Sequence, residues 1–162
     1  IEELRRAVPF TKSVEGWAFF VAVGKFQPTE VARVFKLSND ERAFISTVHE
    51  AFKGRVAKPF TIDAYYKYDL SVLTCTEKLY RSVHVNAHTI TDLELEERKK
   101  TLPIQSKQDL VIDGKDLIEW AGISGGRWTG KWLEKIEYAV LHQACENDPT
   151  KIRDWFINDF ER

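Results

Sequence analysis

A glycine-rich step between two helical segments constrains this chain more than any other feature. Residues 102–133 predict a short helix, a hairpin containing Gly122, Gly125 and Gly126, and then a longer helix. In one interpretation the glycines serve only as a helix C-cap and a tight turn. In the other, the free backbone N–H groups at the start of the second helix face a phosphate. The residues themselves leave both interpretations open.

The remaining pattern predicts helix after helix, because apolar residues recur at helical spacing and no segment shows sustained alternation. Capping boxes at Ser38–Glu41 and Thr91–Glu94 mark two helix starts, and Asp148 caps the last helix. The predicted helices cover residues 1–8, 13–24, from 28 onward, 38–54, 62–83 as one or two helices, 91–100, 108–112, 115–120, 128–144 and from 149 onward. We therefore expect an all-α helical array of two small subdomains, residues 1–90 and residues 91–162.

Several apolar faces are predicted to be buried. In the helix that begins at Pro28, Val31, Val34 and Phe35 form the expected stripe. Large aromatic residues at helical spacing are more often core residues than base-stacking platforms. This applies to three tryptophans that also invite a stacking interpretation: Trp120, Trp128 and Trp132.

Composition excludes several classes of protein. The 162 residues are 43% hydrophobic and 12% aromatic, which supports a packed core and argues against disorder. The formal net charge is −1, so contact with a nucleic acid would need a local basic face. Cys75 and Cys145 are too few and too far apart for a disulfide framework, and we expect buried, inert thiols in a reducing cytoplasm.

Neither a signal peptide nor a transmembrane segment is predicted, since the apolar run at residues 17–23 is too short to span a membrane. The chain begins at Ile1 and contains no methionine. We therefore expect it to be a region of a longer protein.

A basic face around the glycine hairpin is the candidate binding site. Its predicted RNA-binding residues are Lys107, Lys115, Gly125, Gly126, Arg127, Lys131 and Lys135. Lys131 and Lys135 are one helical turn apart, although Glu134 and Glu137 dilute the charge of that face. Gly130 lies inside the predicted helix, where glycine costs about 1 kcal/mol relative to alanine. Close helix packing or the close approach of another backbone would explain its missing side chain.

No catalytic site or metal site is predicted. His84 and His88 have a spacing of four, which suits a shared metal only if the segment is helical, and His49–Glu50 resembles an ordinary surface pair. Nucleotidyl transfer by two metal ions needs closely spaced carboxylates, commonly Asp-x-Asp, and the chain contains no such pair. We expect the chain alone to be catalytically inactive.

The tail of the chain resembles the C-terminal region of bacterial class II CCA-adding enzymes, which belong to the tRNA nucleotidyltransferase/poly(A) polymerase family. The matching positions are Leu102, Pro103, Ile104, Leu110, Gly114, Asp116, Ile118, Trp120, Gly122, Gly126, Trp128 and Gly130. A weaker resemblance to the body region of these enzymes covers the helix at 16–23 and the step Lys36-Leu37-Ser38-Asn39. Residues 60–90 match no known pattern.

This resemblance implies that catalysis and tRNA binding belong to different parts of the enzyme. Such enzymes catalyse with a head and neck that use Mg²⁺, CTP and ATP, and the Glu-Asp-x-x-Arg motif that reads the nucleotide is missing here. Their body and tail hold the acceptor–TΨC arm of tRNA, which makes tRNA the expected partner. Arg127 lies where family members often have proline. We expect the turn to be looser without the proline, and the arginine adds a positive charge to it. A poly(A) polymerase relative and a non-enzymatic helical interaction module remain alternatives, and protein partners stay unknown.

Overall fold

A computed structural model describes residues 10–160, and within this range it contains nine α-helices, one 3₁₀ turn and no strand. The predicted all-α class is therefore confirmed, while the helix predicted at residues 1–8 lies outside the described residues. The helices are α1 (Ser13–Gly24), α2 (Pro28–Val34), α3 (Asn39–Ala57), α4 (Ile62–Lys67), α5 (Leu70–Val83), α6 (Asp92–Lys100), α7 (Gly114–Ala121), α8 (Arg127–Leu141) and α9 (Pro149–Phe160). Among these helices, none has both the length and the hydropathy needed to cross a membrane.

The chain divides into two compact units, Ile1–Lys99 and Lys100–Arg162. Helix α6 thus lies almost wholly in the first unit, and Lys99 ties it there by donating from Nζ to the carbonyl oxygens of Tyr65 and Tyr68 at 2.8 and 2.9 Å. The division at residue 90, which was drawn from the sequence, stays a prediction about functional subdomains.

Helices α1, α3 and α5 form the core of the first unit. Phe19, Ile45 and Leu79 contribute one large side chain from each helix, and all three are at most 1% exposed. Burial of side chains of this size stabilises a fold by about 1.5–3 kcal/mol each. Val21 of α1 and Val48 of α3 are both fully buried and belong to the same core.

The stripe predicted on α2 is wrong at two of its three positions. Val31 is buried, but Val34 is 62% exposed and Phe35 is 49% exposed. The helix is only seven residues long and ends at Val34, and its buried residues are Pro28, Val31 and Ala32. Phe35 follows the helix end and packs its ring against Trp17 instead, with 4.5 Å between the ring centroids.

Some helix ends differ from the sequence prediction. Helix α3 continues past Gly54 to Ala57, because Arg55 in its last turn is buried and paired. The helix predicted at 108–112 is only a 3₁₀ turn, Lys107–Asp109, which Ser106 and Asp109 close by a capping box. Helix α8 ends at Leu141 rather than at residue 144, and Gln143 beyond it has a φ of 58°.

The predicted caps are confirmed by their hydrogen bonds. The backbone N–H of Ser38 donates to Glu41 Oε2 at 2.8 Å, and the N–H of Glu41 donates to Ser38 Oγ at 3.2 Å. Thr91 and Glu94 make the same reciprocal pair at 2.8 and 3.2 Å. Asp148 Oδ1 accepts from two N–H groups in the first turn of α9 at 3.0 and 3.1 Å. Such caps satisfy orphan amides at the helix start.

Helices α7, α8 and α9 form the core of the second unit. Leu117, Ile136, Ile152 and Phe156 are completely buried, and they come from all three helices. This core fixes the positions of α7 and α8, and therefore the geometry of the hairpin that joins them.

Candidate functional site

The first half of the glycine hairpin is a helix end that requires glycine. Asp113 caps the start of α7 by accepting from the N–H of Lys115 at 2.6 Å. At the other end of α7, Gly122 has a φ of 65°, a left-handed conformation, and its N–H donates to Ile118 O at 3.0 Å. Glycine adopts this conformation without the steric strain that a Cβ causes. The structural interpretation of Gly122 is therefore correct.

The second half of the hairpin is held by a tryptophan. Trp128 Nε1 donates to Ser124 O at 3.0 Å, which ties the first turn of α8 back to the loop. A Cβ on Gly125 would lie 2.6 Å from Cδ1 of Ile118, so the loop lies close against α7 at this point. Gly125 thus also has a packing role.

The start of α8 has no side-chain cap. The N-cap residue is Gly126, which has no side chain to accept a hydrogen bond. Its carbonyl oxygen accepts from the backbone N–H of Thr129 at 3.1 Å and from Thr129 Oγ1 at 2.6 Å. A helix start without a capping side chain leaves backbone N–H groups for water or for an anion, which the helix dipole also attracts.

Gly130 has no packing partner for a side chain. A Cβ built at this position would meet nothing within 4 Å among the described residues. The expectation of close helix packing is therefore wrong, and within the described chain no neighbour explains the glycine. The approach of an external backbone remains as an explanation.

Two cations lie on one stripe of α8 beside this helix start. Arg127 is the first residue of α8 and Lys131 follows one turn later; both are exposed. Within residues 10–160, neither side chain forms an ion pair. Lys135 continues the stripe, but its Nζ is bound to Asp159 of α9 and lies 4.3 Å from the Trp132 ring centroid.

The structure places Lys107 and Lys115 away from the hairpin. Lys115 lies at the start of α7, at the opposite end of that helix from Gly122. Lys107 is in the 3₁₀ turn. A 2.8 Å hydrogen bond from Asn147 Nδ2 to Asp109 O joins this turn to the segment after α8. Because α8 is about 22 Å long at 1.5 Å per residue, the hairpin and the 3₁₀ turn lie at opposite ends of the unit. Of the seven predicted residues, the hairpin and the start of α8 therefore bring together Gly125, Gly126, Arg127 and Lys131. RNA binding by all seven residues stays a prediction.

The three tryptophans of α7 and α8 pack against α9, as the core interpretation predicts. Trp120 faces Phe156 with 6.2 Å between ring centroids, and Trp128 faces Phe160 at 5.5 Å. Trp132 contacts Phe156 at 5.0 Å in an edge-to-face arrangement. These aromatic pairs stabilise the second unit.

Metal-ligating groups are not clustered in the described part of the chain, where no set of three or more His, Cys, Asp or Glu side chains is placed to hold a metal ion. Helix α5 ends at Val83, so His84 and His88 do not share a helical face. That this region holds no Mg²⁺, which the resemblance assigns to the head and neck, stays a prediction.

A cleft in the first unit was missed by the sequence analysis. It lies between the end of α1 and one stripe of α3, and we name it the α1–α3 cleft. Its lining includes Ala22, Lys25, Phe26, His49, Phe52 and Lys53. The interpretation of His49 as an ordinary surface residue is wrong, because Nδ1 is buried and has no hydrogen-bond partner among the described residues. The spacing of His49, Phe52, Lys53 and Val56 was the available signal, since these positions share one helical face.

Comparison with known proteins places this geometry in a family. The chain is 29% identical over 147 residues to the CCA-adding enzymes of Bacillus cytotoxicus and of Bacillus cereus. These alignments cover 90% of the chain but only 37% of each relative, so the chain spans just over a third of their length. The crystal structure of the Bacillus stearothermophilus CCA-adding enzyme in complex with CTP has the same fold, with a TM-score of 0.78 and 23% identity over 93% of this chain and 39% of that one.

The family model described as tRNA nucleotidyltransferase domain 2 matches residues 8–156, which cover most of both units and the whole glycine hairpin. The resemblance noted for the tail and part of the body thus extends over almost the entire chain, including the segment 60–90. On this match, the chain belongs to the tRNA nucleotidyltransferase domain 2 family.

Proposed function

We propose that this chain is the tRNA-binding C-terminal region of a CCA-adding tRNA nucleotidyltransferase. In this role it grips the acceptor–TΨC arm and so sets the position of the 3′ end for template-independent addition of CCA. The relatives named CCA-adding enzyme, which align over 90% of the chain, support this choice over a poly(A) polymerase relative.

One observation at the hairpin carries the proposal. Gly130 lies on the exposed side of α8 with open space where a side chain would be, three residues after Arg127. Glycine in this position is unfavourable for the helix alone. An RNA backbone that lies against Gly130 would come within reach of Arg127 and Lys131, and of the uncapped N–H groups at the start of α8.

Such contacts would recognise the shape and charge of the RNA rather than its base sequence. Helical RNA is recognised mostly through its phosphates and 2′-hydroxyl groups, because its deep major groove is closed to side chains. A rigid helical unit that binds the arm in this way would work as a ruler for the distance to the 3′ end. Its affinity would depend strongly on salt, since each neutralised phosphate releases counterions.

The chemistry of CCA addition is proposed for the remainder of such an enzyme. Mg²⁺, CTP and ATP would be used there, and we expect this chain alone to add no nucleotide. The test is incubation of the chain with Mg²⁺, labelled CTP and ATP, and a tRNA that lacks its CCA end. Incorporation of label by the purified chain would contradict this part of the proposal.

Fluorescence anisotropy tests the binding role. The chain is titrated with tRNA that lacks its CCA end and, in parallel, with an unrelated RNA hairpin of similar size. Salt-sensitive binding that favours the tRNA is the expected result. If the chain binds neither RNA and instead forms a stable oligomer in light scattering, it is a helical protein-interaction module, and the proposal is wrong.

A further inference from the structure

The α1–α3 cleft of the first unit has the size of a small-ligand site. Its volume is about 440 Å³, and pockets for small molecules span about 300–1,000 Å³. Ala22, Phe52 and Val56 make much of the lining apolar, while His49, Lys25 and Lys53 add a few polar groups. A predominantly apolar lining with a few polar groups is typical of sites for organic ligands.

Phe26 presents an aromatic surface at this cleft, and its ring is fixed from behind. It stacks on Phe20 with 4.8 Å between centroids and an interplanar angle of 28°. A Cβ on Gly24 would lie only 2.2 Å from Cε2 of Phe26, so the glycine is what lets the ring fold back over the end of α1. Phe26 nevertheless remains 45% exposed. A backed ring with an exposed surface is the arrangement that proteins use to stack a nucleobase.

His49 adds a polar ring to the lining of the cleft. Its Nδ1 is buried and has no hydrogen-bond partner among residues 10–160. Because Nδ1 is closed to solvent, a ligand in the cleft contacts the half-buried His49 at the other atoms of its ring. Burial and the charge of Lys53 lower the pKa of His49, so the ring is neutral near pH 7 and can pair with the polar edge of a ligand.

Two lysines give the cleft a positive charge. Lys53 follows His49 by one helical turn on α3, and Lys25 follows the last residue of α1. Lys25 has a φ of 55°, a conformation in which glycine is the usual residue at a helix end. Both lysines are exposed, and among the described residues neither forms an ion pair. An anionic group on the ligand would therefore complement this side of the cleft.

We propose that the α1–α3 cleft binds a single nucleotide. The base stacks on Phe26 with its polar edge at the His49 ring, and the phosphate lies between Lys25 and Lys53. The nucleotide is either an unpaired residue of a bound RNA or a free nucleoside monophosphate. This site lies in the first unit and is independent of the hairpin, so it goes beyond the proposed function.

Titration with AMP, followed by ¹H–¹⁵N NMR on the full chain, tests the site. Dissociation constants up to the millimolar range, about 4 kcal/mol of binding free energy, fall within reach of this method. We expect the amide signals of Phe26, His49 and Lys53 to shift together with one binding curve. Adenosine should bind more weakly than AMP, and inorganic phosphate alone should leave the Phe26 signal unchanged.

Matched variants separate the stacking surface from the aromatic residues nearby. Phe26→Ala should weaken AMP binding at least about fivefold, as expected for loss of one stacked base. Phe35→Ala is the control, because Phe35 is similarly exposed and also packs on an aromatic residue of α1, but does not line the cleft. His49→Leu provides a second variant in case Phe26→Ala does not fold, and it too should weaken binding.

A second matched pair tests the phosphate contacts. Lys25→Gln should reduce the preference for AMP over adenosine, whereas Lys36→Gln should not. Lys36 is the appropriate control because it has the same left-handed conformation, with a φ of 53°, and lies outside the cleft.

Three results would overturn the nucleotide site. These are absence of shifts at 10 mM AMP, shifts of equal size with phosphate alone, and unchanged AMP binding by folded Phe26→Ala and His49→Leu variants. A short single-stranded RNA that binds at least about tenfold more tightly than AMP would identify RNA as the source of the nucleotide, and equal affinity would identify a free nucleotide. Arg127→Ala should leave AMP binding unchanged, which separates this site from the hairpin.

Discussion

Arg55 and Glu77 form a buried, two-pronged ion pair between α3 and α5. Arg55 Nε donates to Glu77 Oε2 at 2.7 Å, and one terminal nitrogen of Arg55 donates to Oε1 at 3.0 Å. The side chains are 4% and 0% exposed, respectively. Glu77 Oε1 also accepts from the N–H of Ile90 at 2.8 Å, so the pair secures the segment between α5 and α6.

Glu77→Gln should destabilise the chain strongly. Removal of one partner leaves the Arg55 charge buried and uncompensated, which typically costs about 3–5 kcal/mol. Urea denaturation followed by circular dichroism measures the free energy of unfolding. The control is Lys67→Ala, which breaks an exposed pair with Glu50 and should cost at most about 1 kcal/mol. Equal losses in both variants would show that the buried pair has no special role.

Two glycines of the second unit should respond to alanine in opposite directions. Gly122→Ala places a Cβ on a left-handed residue and should lower the free energy of unfolding by about 1–2 kcal/mol. Gly130→Ala meets nothing within 4 Å and should raise it by up to about 1 kcal/mol, because alanine favours the helix. Thermal denaturation of both variants checks the prediction. If Gly130→Ala destabilises the chain, the space at Gly130 is not open to a side chain.

Cys75 should be unreactive in the folded chain. It is 1% exposed, and burial raises the pKa of its thiol to about 12, so almost no thiolate exists near neutral pH. In a Cys145→Ala variant, which leaves Cys75 as the single thiol, labelling by Ellman's reagent should proceed only as fast as the chain unfolds. Immediate labelling under native conditions would show that Cys75 is accessible.

His49 should make the chain less stable as the pH falls below 6.5. Burial and then Lys53 lower its pKa below the ordinary value of 6.5, so the unfolded chain binds the proton more readily than the folded chain. Stability is therefore lost from about the unfolded pKa down to the lower folded pKa. Urea denaturation at about pH 7.5 and about pH 5.5 should show a larger loss for wild type than for His49→Gln. A variant that loses as much stability as wild type would argue against this effect.

Local signals allowed much of the fold to be predicted from the sequence. Ser38–Glu41 and Thr91–Glu94 are short-range pairs, so their hydrogen bonds follow directly from spacing. The buried pair of Arg55 and Glu77 joins residues 22 positions apart, and no local pattern indicates it. Exposure of Phe35 was missed because the helix ends at Val34, so helical periodicity does not extend to Phe35.

The candidate site was predictable only in part. The glycine spacing located the hairpin, and helical periodicity placed Arg127 and Lys131 on one stripe. Periodicity could not show that Lys107 lies at the far end of the unit, since that depends on how α7, α8 and the 3₁₀ turn pack. It also could not show that Asp159 of α9 binds Lys135.

The salt dependence of tRNA binding tests the central claim most directly. Anisotropy titrations at several salt concentrations compare wild type with two double variants, Arg127→Ala/Lys131→Ala and Lys107→Ala/Lys115→Ala. The two variants remove the same charge from the same unit, at opposite ends. Loss of two phosphate contacts should flatten the slope of log K against log salt by roughly 1.5 in the first variant only. A slope that is unchanged in the first variant, or flattened equally in both, would contradict a tRNA-binding hairpin.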